Sequence, residues 1–145
     1  MTTASVSFTV KNGSAPFTIP TALTRKTVLY FMRAATCAQC NRHTRDLEKM
    51  STQLKNKDLD TIIIVPEDAT TAEKVKERNR LTMRVMAGEG GAHALAGLDK
   101  KAFGLIQQSG TLVIDTDGSV LYQRVATNPE SSFNGKEFAA YLETL

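Results

Sequence analysis

The sequence predicts an α/β sandwich, a mixed central sheet flanked by helices on both faces. Three observations carry that expectation. Short apolar, β-favouring runs alternate with segments of helical periodicity. One of these runs, Thr61–Val65 (TIIIV), is apolar throughout, as a strand covered on both faces requires. Near the C-terminal end, Thr116-Asp117-Gly118 joins two apolar runs through an Asp-Gly hairpin signal. The resulting order, β-α-β-α-β-α-β-β-α, combines βα crossovers with an antiparallel pair, so the sheet must be mixed.

Each element has its own signal. Val6–Gly13 (VSFTVKNG) alternates apolar and polar residues before an Asn-Gly turn and reads as a short strand or hairpin at a sheet edge. Val28–Met32 (VLYFM) is a core strand. Beyond Cys37, the apolar positions Cys40, Leu47, Met50 and Leu54 recur at helical spacing. Thr61–Val65 is the next strand, ended by Pro66. A helix fits Thr71–Arg80, a short strand Met83–Ala87, and a helix Ala92–Phe103, with Leu95, Leu98 and Ala102 on one face. Thr111–Asp115 and Ser119–Val125 form the hairpin strands. Asn134 and Glu137 are a capping pair for a terminal helix whose Phe138, Tyr141, Leu142 and Leu145 make an apolar stripe.

Composition sets the bounds. The 145 residues, 41% hydrophobic and 23% charged, suit one globular domain, residues 1–145, rather than a disordered or fibrous chain. Net charge is +3, yet the basic residues alternate with acidic ones through Arg45–Lys57 and Glu73–Arg84. A nucleic-acid surface would need a basic stripe with stacking aromatics, so no nucleic acid is expected. The apolar runs are too short to cross a bilayer, and Met1–Thr9 lacks the basic-then-apolar order of a secretory signal. The expected location is cytoplasmic, with no membrane partner.

The two cysteines, Cys37 and Cys40, are the chain's only ones, and they form a C-x-x-C between the Val28–Met32 strand and the following helix. In a reducing compartment that spacing speaks for redox chemistry or metal binding rather than a structural disulfide. A cysteine just ahead of a helix has its sulfur near unpaired backbone N–H groups and the positive end of the helix dipole, which favours the thiolate. Cys37 is therefore the expected nucleophile, with Arg33 and Arg42 close enough in sequence to assist. Cys40, one turn along and shielded by the sheet, is the expected resolving thiol. The cycle is attack by Cys37 on a partner sulfur or an oxidant, then attack by Cys40 at Cys37 to leave a Cys37–Cys40 disulfide. The crevice beyond the strand ends also brings in Pro66, Glu67 and Asp68, and Glu67 is the candidate proton shuttle.

With the motif at a strand-to-helix junction and this order of elements, the chain resembles the thioredoxin superfamily. The extra strand and helix between TIIIV and the TLVIDTDGSVLY hairpin resemble its peroxiredoxin (alkyl hydroperoxide reductase/thiol-specific antioxidant) and TlpA-like branch, over roughly Phe17–Leu145. The resemblance implies a thioredoxin-like three-layer sandwich and a thiol–disulfide oxidoreductase. Its partners would be protein or small-molecule disulfides, with a cellular thiol reductant and no cofactor. The alternatives are a divergent peroxidase reducing hydroperoxides at Cys37 and a non-enzymatic redox-sensing or zinc-holding module. The chain departs from the family at several positions. Thr36 stands where thioredoxins have tryptophan, Ala38-Gln39 replaces Gly-Pro, and Ser109 occupies the position of the cis-proline of thioredoxins and of a peroxiredoxin arginine. Phe31 holds the place of the buried aspartate. The peroxiredoxin proline and threonine positions carry Tyr30 and Ala34 counted from Cys37, or Arg33 and Cys37 counted from Cys40.

Other features carry less chemistry. Cys37, Cys40 and His43, with His93 as a distant fourth ligand, could hold zinc. Haem attachment needs histidine directly after the second cysteine, where Asn41 stands. His43 is expected on the surface of the cysteine helix and His93 on an exposed helical turn. The glycines of Ala87–His93 (AGEGGAH) lack the Lys-Ser/Thr of a phosphate loop and read as a flexible turn. Met83 and Met86 read as core filler, and the lysines at 74 and 76 as a solvated helical face.

Overall fold

A computed structural model describes residues 4–145. In chain order it contains β1 (Phe8–Asn12), β2 (Ala15–Ile19), β3 (Thr27–Phe31), α1 (Ala38–Lys49), α2 (Ser51–Asn56), β4 (Asp60–Val65), α3 (Ala69–Asn79), β5 (Arg84–Ala87), α4 (Ala92–Leu95), β6 (Lys100–Lys101), β7 (Ile106–Gln107), β8 (Ser109–Ile114), β9 (Val120–Ala126), a 3₁₀ turn (Pro129–Ser132) and α5 (Gly135–Leu142).

Seven strands form one mixed sheet in the order β2-β1-β5-β4-β3-β8-β9. β3, β4 and β5 run parallel, each joined to the next by a helical crossover, while β8 lies antiparallel to both β3 and β9. The Asp-Gly hairpin joins β8 to β9 as expected. The N-terminal hairpin β1–β2 forms the other end of the sheet, with β1 bridging to β5 through Lys11 and Ala87.

Strand alternation sorts the core into two halves. Val28, Tyr30 and Met32, with Ile63 and Val65 of β4, face the side covered by α1, α3 and α5, where Leu47, Val75 and Phe138 pack. Leu29 and Phe31, with Ile62 and Ile64, face the other side, covered by α4 and the segment after it together with inward residues of β1 and β2. Both cysteines belong to the first half.

The stretch Ala92–Phe103 corrects the expectation of one helix. Only Ala92–Leu95 is helical, Gly97 turns out of it at φ 92°, and Lys100–Lys101 pairs with Ile106–Gln107 as a small separate ribbon. Leu98 is buried, but Leu95 is exposed, so the apparent apolar stripe does not mark one packed face. His93 is also corrected: it is buried rather than exposed, donating from Nε2 to the Met32 carbonyl at 2.8 Å. The loop at Gly88 is close-packed, since a Cβ there would lie 2.9 Å from Ile64 Cγ2 and 3.1 Å from the Val65 carbonyl oxygen.

Candidate active site

β3 delivers the chain to the cysteine loop in the middle of the sheet. Its pairing with β4 continues one residue past the strand, where the Met32 amide donates to the Ile64 carbonyl at 2.9 Å. The chain then turns, and Cys37 becomes the N-cap of α1, with φ −69° and ψ 114°. A cap residue faces backbone N–H groups that have no helical acceptor. Here the Cys37 sulfur accepts from the Cys40 amide at 3.3 Å, and the Cys40 sulfur accepts from the Arg33 amide at 3.3 Å. Both thiols are free and buried, and Cys40 has no exposed surface. Burial, followed by the neighbouring Cys37 sulfur, pushes the Cys40 thiol up to about 11, against the opposing pull of the Arg33 amide and the Tyr30 hydroxyl.

A polar network fixes the loop from behind. Asn41 Nδ2 donates to the Ala35 carbonyl at 2.9 Å and the Cys37 carbonyl at 2.8 Å. Its Oδ1 accepts from Asn79 at 2.7 Å and from Arg78 at 3.1 Å, and Arg78 also donates to the Ala35 carbonyl at 2.6 Å. Arg45 completes the set by donating to Asn79 Oδ1 at 2.7 Å. Both asparagines are buried, so each bond replaces one that water would otherwise make.

The residues singled out in the sequence fall into distinct places. Glu67 reaches the loop, where both carboxylate oxygens accept from the Ala35 amide at 3.2 Å, and no hydrogen bond joins it to either sulfur. Arg33 contributes through its backbone amide, while Thr36 is exposed at the turn before Cys37. Arg42 faces away, 4.0 Å from Glu130. Ser109 opens β8 next to Gly110, which pairs with Phe31 at the loop end of β3; its buried Oγ has no hydrogen-bond partner.

His43 overturns the expectation of a surface residue. It is buried on α1, with Nδ1 2.8 Å from the Tyr30 hydroxyl and the two rings edge to face at 5.7 Å. The same hydroxyl lies 3.1 Å from Ser132 Oγ, and Tyr30 packs in the same buried cluster as both cysteines. Burial raises Tyr30 well above the ordinary phenol range, and the Cys40 charge reinforces this. Burial and then Arg42 lower His43, while Asp46 and Glu130 oppose. The zinc arrangement is not built: His43 is engaged with Tyr30, and His93 with the Met32 carbonyl. Among the described residues no three His, Cys, Asp or Glu side chains converge as metal ligands.

Tyr30, His43, Asn41 and Asn79 are thus buried polar residues around the cysteine loop beyond those the motif named. Tyr30 had a signal: a lone phenol inside an otherwise apolar strand must find a partner for its hydroxyl.

Comparison with known proteins places the fold. The fold is similar to that of the peroxidoxin BcpB from Mycobacterium tuberculosis, with a TM-score of 0.77 at 20% identity over 99% of this chain and 94% of that one. It is similar to peroxiredoxin Q of Xanthomonas campestris, with a TM-score of 0.76 at 11% identity over 94% and 90% of the two chains. It is also similar to a secreted Mycobacterium tuberculosis disulfide oxidoreductase homologous to E. coli DsbE, with a TM-score of 0.66 at 18% identity over 95% and 96%. The three share the thioredoxin-like fold that the sequence predicts. No curated protein matches the chain significantly in sequence. Among the described residues no helix is long and apolar enough to cross a membrane. The Redoxin family pattern matches residues 3–142, nearly the whole chain, and the protein therefore belongs to the Redoxin family and to its class of thiol-dependent oxidoreductases and peroxidases.

Proposed function

We propose that the protein is a thiol–disulfide oxidoreductase in which Cys37 is the nucleophile and Cys40 the resolving thiol. The observation that carries this reading is the placement of both cysteines in the first turn of α1, one at the cap and one behind it. Cys37 caps α1 and accepts from the amide of Cys40, and Cys40 lies deeper, without exposed surface. The thiol nearer the surface meets the substrate first. The deeper thiol is held protonated, with its acidity suppressed to about 11, until a bond at Cys37 brings an electrophilic sulfur beside it.

The chemistry balances as two exchanges. The Cys37 thiolate attacks a disulfide, releasing one thiolate and leaving a mixed disulfide at Cys37. Cys40 then attacks the Cys37 sulfur, closing the Cys37–Cys40 disulfide and releasing the second thiolate. A cellular thiol reductant restores the dithiol. Hydroperoxide is the competing electrophile. In that case oxygen transfer would make a sulfenic acid at Cys37, which Cys40 would resolve with loss of water. Ser109 and Ala34 place no guanidinium or hydroxyl of the peroxiredoxin pattern beside Cys37, which favours the disulfide.

Stopped-flow oxidation of the reduced protein by a small disulfide and by hydrogen peroxide compares the two electrophiles on one thiol. The proposal expects the disulfide to react far faster, with Cys37→Ser abolishing the reaction. A faster reaction with peroxide would make the protein a peroxidase, and no reaction with either would end the redox reading.

A further inference from the structure

The cysteine loop shares its end of the sheet with the β6–β7 ribbon. β8 opens at Ser109, next to the Gly110 that pairs with Phe31 at the loop end of β3, and β7 ends at Gln107, just before it. The base of the ribbon is tied down. Gln107 Nε2 donates to the Leu98 carbonyl at 3.2 Å, the Gln108 amide donates to the Asp99 carbonyl at 2.9 Å, and Gln108 Nε2 donates to Thr127 Oγ1 at 3.2 Å.

The tip, by contrast, stands in water. Ala102, Phe103 and Gly104 follow one another at φ 52°, 58° and 84°, a left-handed run that residues with a Cβ disfavour. On this turn Phe103 is 106% and Leu105 85% exposed, and Leu95 on α4 is 60% exposed. Among the described residues these are the three most exposed large apolar side chains. Single exposed apolar residues are ordinary, but a group of them on a strained turn marks a contact surface.

A cavity of about 400 Å³ separates the ribbon from the supports of the cysteine loop, lined by Pro66, His93, Leu98, Lys100 and Gln107. Two of these residues lead to the loop. His93 Nε2 donates to the carbonyl of Met32, where the loop begins, and Pro66 precedes Glu67, which holds the Ala35 amide. The acidic residues of the cavity are already paired, Glu89 with Lys11 at 3.5 Å and Asp99 with Lys101 at 3.7 Å. Lys100 makes no ion pair among the described residues.

We propose that this cavity and the ribbon tip dock the polypeptide of a protein disulfide, taking an apolar side chain and a carboxylate that lie close to the cysteine attacked by Cys37. This rests on the assignment of Cys37 as a nucleophile towards disulfides. The occupant follows from reach, apolarity and charge. A small disulfide at Cys37 has nothing to extend to the ribbon, whereas an extended chain advances about 3.3 Å per residue and spans such a distance in a few residues. Leu98, Phe103 and Leu105 suit an apolar side chain, and the unpaired Lys100 suits a carboxylate. Three exposed apolar residues are few against the roughly 20–30 on each side of a stable interface, so a transient substrate fits better than a second copy of the chain.

The test reacts the reduced full chain with hydroxyethyl disulfide and with three short peptides, each cyclised by one disulfide. Beside one cysteine the peptides carry Phe-Asp, Ser-Asp or Phe-Lys. Each rate is divided by that of the same disulfide with dithiothreitol, which cancels intrinsic reactivity. On this scale Phe-Asp should exceed Ser-Asp about tenfold, the scale of one buried aromatic side chain. It should exceed Phe-Lys about threefold, the scale of an exposed ion pair, and this second ratio should fall with added salt. Phe103→Ser should shrink the first ratio towards one, and Lys100→Glu should invert the second, which a merely structural role would not do. Equal corrected rates for the three peptides, or parental ratios in both variants, would overturn the docking site while leaving the chemistry of Cys37 intact. Parental ratios in Phe103→Ser together with loss of a dimer in sedimentation would assign the ribbon to a second copy and overturn it equally. Absence of reaction with hydroxyethyl disulfide and with every peptide would overturn the oxidoreductase reading as well.

Discussion

Asn79 Nδ2 donates to Asn41 Oδ1 across 2.7 Å of buried space, joining the end of α3 to the first turns of the cysteine helix. Because Asn41 in turn holds the Ala35 and Cys37 carbonyls, this contact fixes the shape of the loop that presents the cysteines. Asn79→Ala would strip a donor from Asn41 and an acceptor from Arg45. It should cost about 1–3 kcal/mol of stability by urea unfolding, the scale of an unsatisfied buried polar group. Amide exchange at residues 37 to 41 should accelerate more than exchange in β8 or β9.

Glu67 is the second support of that loop. Its contact with the Ala35 amide predicts that Glu67→Gln, which keeps an acceptor oxygen, resolves disulfides at close to the parental rate, while Glu67→Ala loses about 1 kcal/mol of stability. A fall of about 100-fold in the Gln variant would instead make the carboxylate a proton shuttle.

His93 predicts an acid-sensitive fold. Burial is the main cause that lowers it from 6.5 to about 4, despite the Met32 carbonyl that favours its charged form. Between those values the unfolded chain binds a proton that the folded chain does not, so stability is full above pH 6.5 and is lost as pH falls towards 4. The loss attributable to this residue is about 3 kcal/mol. Urea unfolding at pH 7 and pH 4.5 should show a steeper acid loss for the parent chain than for His93→Gln, whose side chain does not titrate. Equal losses would remove His93 as the cause.

The sheet and the cysteine pair were legible in the sequence because their signals are local. VLYFM, TIIIV and the Asp-Gly turn each carry their structure within a few residues, and the C-x-x-C sits where a strand meets a helix. Ala92–Phe103 misled because Leu95, Leu98 and Ala102 match helical spacing, while Gly97, Ala102 and Phe103, all at positive φ, break the segment. The support of the loop was hidden for another reason. Asn41 and Asn79 are separated by 38 residues, and Tyr30 meets Ser132 across 102, so only the fold brings them together. Counting back from Cys37 drew attention to Phe31, yet strand alternation turns Phe31 to the far face and Tyr30 towards the sulfurs.

The most direct test of the central claim is to react Cys40→Ser and Cys37→Ser separately with an aryl disulfide and weigh the products by intact-protein mass spectrometry. Cys40→Ser should accumulate one stable mixed disulfide, mapped to Cys37 by digestion, whereas Cys37→Ser should remain unmodified at neutral pH. A mixed disulfide that forms on Cys40 in the Cys37→Ser protein as fast as on Cys37 would contradict the assignment of nucleophile and resolving thiol.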